Sequence, residues 1–266
     1  MLGALAGDII GSCFIQRPVK TTTFPIFADE AHFTAATVMN MAVAQAIVDD
    51  RNYGSMLREY GQRYPDAGYD DAFYNWVFAE KPQPGNNTSS CAAMRAVPIG
   101  WAFNTSGDVL REAQRSAISH ASQEGVFGAQ AVALAVYLAR TGTSRDDIRR
   151  EIEHRFGYDL SQRVAAIRLK SPGSDTCSQV VPPAICAFLE ATNVEDAIRK
   201  AISLGGASSI QASIAGGIAE AYFKSVGNYV GRETRSRLPE GFIDVYEDFC
   251  KRFDIVDDDR AISSIW

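Results

Sequence analysis

The 266-residue sequence is short of basic residues: 26 Lys and Arg stand against 32 Asp and Glu, a formal net charge of -6. The cations are scattered, so the positive stripe that a nucleic-acid duplex requires is missing and no such partner is expected. Long apolar runs are missing too. None approaches the ~20 residues that cross a bilayer, so no membrane partner is expected. The opening MLGALAGDIIGS has no basic leader and carries Asp8 within its apolar stretch, which reads as a mature cytoplasmic start. Histidine is scarce, and the five cysteines (Cys13, Cys91, Cys177, Cys186, Cys250) are odd in number, widely spaced and without a CxxC or a Cys/His cluster. Neither a disulfide framework nor a zinc site is indicated, and reduced, mostly buried thiols are expected. Alternating strand patterns are nearly absent; only Gln16 to Phe27 has an extended look.

What is present is helical periodicity in a chain that is 46% hydrophobic. Val38, Met39, Ala42, Val43, Ala46 and Ile47 recur at three- and four-residue spacing, predicting a buried helix over 34–50. A second runs over 124–140 with Ala129, Ala133, Val136 and Tyr137 as its stripe, and Gly142 stops it. Ser144 with Asp147, and Asn193 with Asp196, resemble capping pairs at helix starts. Pro182-Pro183 is expected to open the helix AICAFLEA. After Gly205-Gly206, Ile210, Ile214, Ile218, Ala221 and Tyr222 line another helix face. Lys81 to Ser90 is the strongest loop signal, but apolar helices on both sides of it would not form separate small cores. The expectation is all-α: one compact orthogonal multi-helix domain over 1–266, with its site in loops and helix ends at one face.

Six segments carry a further pattern: MLGALAGDIIGS, KTTTFPIF followed by FTAATVM, AAMRAVPIGW, SHASQEGVFGAQAVALAVYLAR, FGYDL and ISLGGASSIQASIAGGIAEAYF. In order and spacing they resemble the ADP-ribosylglycohydrolase family, which includes dinitrogenase-reductase-activating glycohydrolase and the ADP-ribosylarginine and ADP-ribosylserine hydrolases. The resemblance runs from Met1 to about Phe223. It implies an all-helical domain that uses two Mg²⁺ ions to bind ADP-ribose and to hydrolyse the bond between ribose C1″ and a protein side chain.

The sequence departs from the family where metal ligands are implied. The TDDT motif corresponds to Thr34-Ala35-Ala36-Thr37, and GGDSDT to Gly205-Gly206-Ala207-Ser208-Ser209-Ile210; both carboxylates of each are gone. A further family glutamate falls at Ile15. Reading Asp29-Glu30 as the acidic pair would require a deletion that the ungapped register of Phe33, Thr34, Thr37, Val38 and Met39 does not need. Mg²⁺ calls for hard oxygen ligands, usually including carboxylates, so no metal site and no cofactor are expected. The phosphate loop departs as well: Ser89, Ser90 and Cys91 stand at its first three positions, and the backbone clearance of glycine is lost.

The remaining candidates each have a bland reading beside the functional one. Asp8 could orient a substrate hydroxyl, but the reading preferred is that it satisfies nearby backbone donors. His120 could do acid/base work or simply be packed. Glu124 could face a ligand or complement a helix dipole. Asp175 and Cys177 lie in a loop resembling a ligand-contacting segment, with ordinary turn chemistry as the alternative. Arg95 could grip a phosphate or tie loops together. His32 and His154 read as surface residues, and Phe14, Phe24, Phe33 and Trp101 as core rather than adenine-stacking rings.

The reading that follows is a pseudoenzyme: the family's fold without its Mg²⁺-dependent hydrolysis, acting by binding an ADP-ribose-like or nucleoside ligand, an ADP-ribosylated target or a protein partner. The alternatives are a metal-independent glycosidase using Asp8, His120, Glu124 or Asp175 in a repurposed cleft, and an interaction protein whose cleft Ile15 and Ile210 have closed.

Overall fold

The computed structural model describes residues 1–170 and 174–256. Among them it contains fifteen α-helices and no strand: α1 (Leu2–Ser12), α2 (Ala35–Val48), α3 (Tyr53–Arg63), α4 (Asp71–Phe78), α5 (Cys91–Met94), α6 (Val97–Ala102), α7 (Ser106–Ser116), α8 (Gln123–Arg140), α9 (Arg145–Phe156), α10 (Val164–Arg168), α11 (Cys177–Leu189), α12 (Val194–Ile202), α13 (Ser208–Phe223), α14 (Asn228–Arg235) and α15 (Glu240–Arg252). A 3-10 turn at Ile118–His120 precedes α8. The one extended pairing among the described residues is a bridge between Ser89 and Thr176. The all-α expectation holds.

Three helices are buried over most of their surface and form the centre. In α8, Ala131, Val132, Ala133, Leu134, Ala135 and Val136 are consecutive and fully buried, which places this helix inside a shell of others rather than on the surface. It packs against α5, α6, α7, α9, α11 and α13. Helices α2 and α13 are buried almost as completely.

The closest helix pair is α1 with α13, and its cause is legible in the sequence. Gly3, Gly7 and Gly11 recur every fourth residue and so share one face of α1. A methyl group on Gly3 would lie 2.4 Å from Gly216 O, on Gly7 2.0 Å from Ala212 O, and on Gly11 2.6 Å from Ser209 Cα. The pairing 3 with 216, 7 with 212 and 11 with 209 makes the two helices antiparallel, their backbones in contact. At the far end, Glu220 of α13 accepts from the Met1 nitrogen (2.5 Å) and from the N–H groups of Leu2 (3.1 Å) and Gly3 (2.8 Å), capping α1. The C-terminal end of α1 is thereby fixed beside the N-terminus of α13.

Helix starts follow the capping signals. Ser144 accepts from Asp147 N, and Asn193 from Asp196 N. Gly142 takes a left-handed φ of 86° just after α8. One expectation is corrected. Pro182-Pro183 does not open its helix: α11 begins five residues earlier, at Cys177, and both prolines lie inside it. Thr176 supplies the extended N-cap backbone, and the loop before α5 pins that start through Cys177 N to Thr88 O (2.9 Å). Neither proline has an N–H to give to Ser178 or Gln179, the carbonyls four residues back, so both are released from the helix ladder.

Candidate functional site

Two of the segments singled out in the sequence meet at the C-terminal end of α1. Asp8 reaches the start of α2: its Oδ2 accepts from Thr34 N (2.8 Å) and Thr37 N (2.9 Å), and its Oδ1 from Thr34 Oγ1 (2.5 Å). One turn further along α1, Ser208 Oγ of α13 donates to Gly11 O (2.9 Å). The starts of α2 and α13, carrying Thr34-Ala35-Ala36-Thr37 and Ala207-Ser208-Ser209-Ile210, are thus neighbours. The structure brings the two degenerate segments together.

Their chemistry does not fit a pair of Mg²⁺ ions. Neither segment holds a carboxylate. Asp8, fully buried beside them, spends both oxygens on capping α2. Burial pushes its carboxyl above the ordinary range, and the hydrogen bonds from Thr34 and Thr37 only partly offset that. Thr37 Oγ1 and Ser213 Oγ, both buried, have no partner, and neutral hydroxyls alone cannot offset dehydration of a doubly charged cation. Ile15 is 41% exposed, so it does not close the site as a buried plug. Ile210 is partly buried and packs against the core.

A second group forms where the loop 81–90 meets the 3-10 turn and the start of α11. Gly85 N donates to Ile118 O (3.0 Å), and Ala121 N donates to Gly85 O (2.6 Å). Gly85 has to be glycine here, since a Cβ would fall 1.9 Å from Ser119 O. Ser90 N donates to Asp175 O (2.8 Å), and Cys177 Sγ lies 3.4 Å from Ser89 O. Arg95, fully buried, gives Nη2 to Ser116 O (2.7 Å) and Ser119 Oγ (2.9 Å), so it ties helix ends together. His120 is fully buried with Nδ1 2.9 Å from Ser119 Oγ; burial lowers its pKa, leaving a neutral imidazole at pH 7. Asp175 is exposed.

Glu124, near the start of α8, accepts from Ser178 N (2.8 Å) and so caps α11. Its slight burial would raise its pKa, but the bonds from Ser178 and Thr176 win and hold it low, so it is ionised at neutral pH. None of Asp8, His120, Glu124 and Asp175 hydrogen-bonds to another.

Sequence reasoning missed a cavity beside the start of α13. About 450 Å³ in volume, it opens between the loop 157–162, α10, α11 and the start of α13; its wall includes Tyr158, Gln162, Lys170, Pro183, Gly205 and Gln211. Of the proposed cleft residues, only Gly205 lines it. Two of its wall residues carry buried polar atoms without a partner, Tyr158 Oη and Gln211 Oε1. Ser178 and Gln179, whose carbonyls the prolines release, also line it. The N-caps of α11 and α13, Thr176 and Ala207, make no side-chain cap bond. The segment after α1 is strapped to its rim: Lys20 Nζ donates to Leu204 O (2.6 Å) and Lys170 O (3.1 Å). The signal in the sequence was the proline pair, read as a helix start instead of an interrupted ladder.

Also missed was Asp70, which caps α4 through Oδ1 and Phe73 N (2.7 Å) and turns Oδ2 toward Ser89, Cys91 and His120. A single aspartate in GYDD gives no spacing signal. Burial would raise its pKa, but donation from His120, Cys91, Ser89 and Phe73 N holds it far below the usual range. The remaining minor expectations stand: the described thiols are free and four of the five buried, His32 and His154 are exposed, and Phe14, Phe24, Phe33 and Trp101 pack against the core. No described helix is long and apolar enough to cross a membrane.

Comparison with known proteins agrees with this architecture. The model of the ADP-ribosylglycohydrolase family matches residues 1–256. The ADP-ribosylhydrolase ARH3 of Xenopus tropicalis is 27% identical over an alignment covering 84% of this chain and 85% of that protein. A solved structure described as an ADP-ribosylglycohydrolase-related protein complex superimposes with a TM-score of 0.69 at 19% identity, over 96% of this chain and 95% of that one; that likeness is one of fold.

Proposed function

Because this chain belongs to the ADP-ribosylglycohydrolase family and yet has no carboxylate at the converging starts of α2 and α13, we propose that it is a pseudoenzyme that binds an ADP-ribose-like ligand without metal. The observation that carries this is the state of Asp8: the one acid buried at that junction is consumed by Thr34 and Thr37. A ligand-free carboxylate pair, the least that Mg²⁺-assisted hydrolysis asks of the protein here, is missing.

The binding half of the proposal rests on the cavity beside the junction. The N-terminus of α13, which has no side-chain cap, presents N–H groups and a positive dipole end that suit a diphosphate. Tyr158 Oη, Gln211 Oε1 and the released carbonyls of Ser178 and Gln179 are groups that ribose or base hydroxyls and amines would satisfy. A metal-independent glycosidase is less well supported, since Glu124 is ionised and capping, Asp8 is capping, His120 is buried and Asp175 stands apart on an exposed turn.

Calorimetric titration of ADP-ribose, with and without excess Mg²⁺, tests both halves when run beside a hydrolysis assay on ADP-ribosylated arginine and serine peptides. Binding that is indifferent to Mg²⁺, without turnover, is the expected result. Mg²⁺-dependent release of ADP-ribose would overturn the pseudoenzyme reading, and absence of binding would redirect the ligand search to protein partners.

A further inference from the structure

We propose that Asp70, Cys91 and His120 form a binding site for one zinc ion. Their ligating atoms all lie within 4.8 Å of one another, and no other set of three His, Cys, Asp or Glu side chains among the described residues is so grouped. The three come from separate elements, the cap of α4, the first residue of α5 and the end of the 3-10 turn. Spacing along the chain therefore announces nothing, which is why the sequence indicates no zinc site.

The first observation is crowding on a single oxygen. Asp70 Oδ2 lies 2.6 Å from Ser89 Oγ, 2.9 Å from Cys91 Sγ and 3.3 Å from His120 Nε2. Each carboxylate oxygen offers about two lone-pair directions, so three donors compete for them. A cation placed among Oδ2, Sγ and Nε2 replaces two of those contacts with coordinate bonds.

The second is the support behind the imidazole. Ser119 Oγ, itself held by Arg95 Nη2 (2.9 Å), lies 2.9 Å from His120 Nδ1. With the ring proton on Nδ1 and directed at Ser119, Nε2 presents its lone pair to the metal, the arrangement that orients histidine ligands generally. Phe73, buried and stacked on His120 with ring centroids 6.1 Å apart, helps to fix the ring plane.

Sulfur, imidazole and carboxylate together suit Zn²⁺ and not Mg²⁺. Bond lengths of about 2.0–2.3 Å put tetrahedral ligand atoms roughly 3.3–3.7 Å apart, so on loading Oδ2 and Sγ separate by about 0.6 Å while Oδ2 and Nε2 already stand at that distance. Asp70 is 30% exposed, which leaves an entry path and a fourth position for water. On binding, the Cys91 S–H proton passes to solvent and the thiolate takes its place on the metal. The imidazole proton moves from Nε2 to Nδ1, so one proton is released per zinc near pH 7. The site stands independently of the ADP-ribose reading.

The test uses the whole chain, stripped of metal with a chelator. Zn²⁺ is titrated in competition with a chromophoric chelator and in buffers of different ionisation enthalpy, and Co²⁺ is added separately as a spectroscopic probe. One zinc per chain, one proton released and a thiolate-to-cobalt charge-transfer band are expected. Cys91→Ser keeps a hydroxyl to donate to Asp70; with its circular dichroism unchanged, it should lose at least about 100-fold in zinc affinity and lack the charge-transfer band. No zinc bound by the wild type, or an affinity and cobalt spectrum indifferent to Cys91→Ser, would overturn the proposal. The wild-type cobalt spectrum decides the matter even if the variant fails to fold.

Discussion

Asp8 illustrates how a single side chain can be read two ways until its partners are known. In the sequence it is an acid in an apolar helix, and the preferred reading, a donor-satisfying structural role, matches the three bonds it accepts at the start of α2. Asn at this position can offer its oxygen to the two backbone N–H groups and its amide to Thr34 Oγ1, whereas Ala leaves all three donors stranded. Asp8→Ala is therefore expected to cost roughly 3 kcal/mol in urea unfolding, and Asp8→Asn little or nothing at pH 7. Because burial raises the folded pKa above the ordinary carboxylate value, the stability linked to Asp8 is fully present below that ordinary value and lost as pH rises through the folded one. Relative to Asp8→Asn, the wild type should lose stability over that rise, and a difference that does not vary with pH would contradict the assignment. Arg95 was equally open in the sequence: its Nη2 ties Ser116 to Ser119, while its Nε and Nη1 are buried without a hydrogen-bond partner.

At the level of elements, local chemistry announced the long buried helices α2, α8 and α13 and the capped starts of α9 and α12, and mis-set α11. Capping pairs at Ser144 and Asn193 work because a side-chain oxygen and the N–H it satisfies are three residues apart, a relation written entirely in the sequence. Asn193→Ala should lower stability by about 1 kcal/mol, measured by thermal or denaturant unfolding. The prolines of α11 misled because their effect depends on whether the preceding turn is already helical, and that turn is held by the distant residue Thr88. The glycines of α1 make a sharper test. Gly7→Ala drives a methyl to 2.0 Å from the Ala212 carbonyl and is expected to cost about 3 kcal/mol or to prevent folding. Gly107→Ala in α7, where a Cβ meets nothing nearer than 3.9 Å, should be neutral or stabilising by up to ~1 kcal/mol. Equal effects from the two would mean that the α1–α13 contact is looser than described.

For the molecule as a whole, the arrangement gathers the starts of α2 and α13 around one end of α1, and neither start carries a carboxylate. Adding Mg²⁺ up to millimolar concentration should accordingly leave the Tm unchanged, because a ligand stabilises only the state that binds it; a rise specific to Mg²⁺ would sink the metal-free reading. ADP-ribose should raise the Tm to the same extent with a chelator present as without it. The sequence by itself determined the helical class, the starts of α2, α8, α9 and α12, the family and the absence of carboxylates from 34–37 and 205–210, since each is a matter of residue identity at a position or of spacing along a single helix. Only the tertiary structure decided that Asp8 is spent on a cap, that a cavity opens beside Tyr158 and Gln211, and that Asp70, Cys91 and His120 meet. Those relations join residues about twenty to fifty positions apart, and chain proximity carries no record of which distant side chains packing will bring within bonding distance.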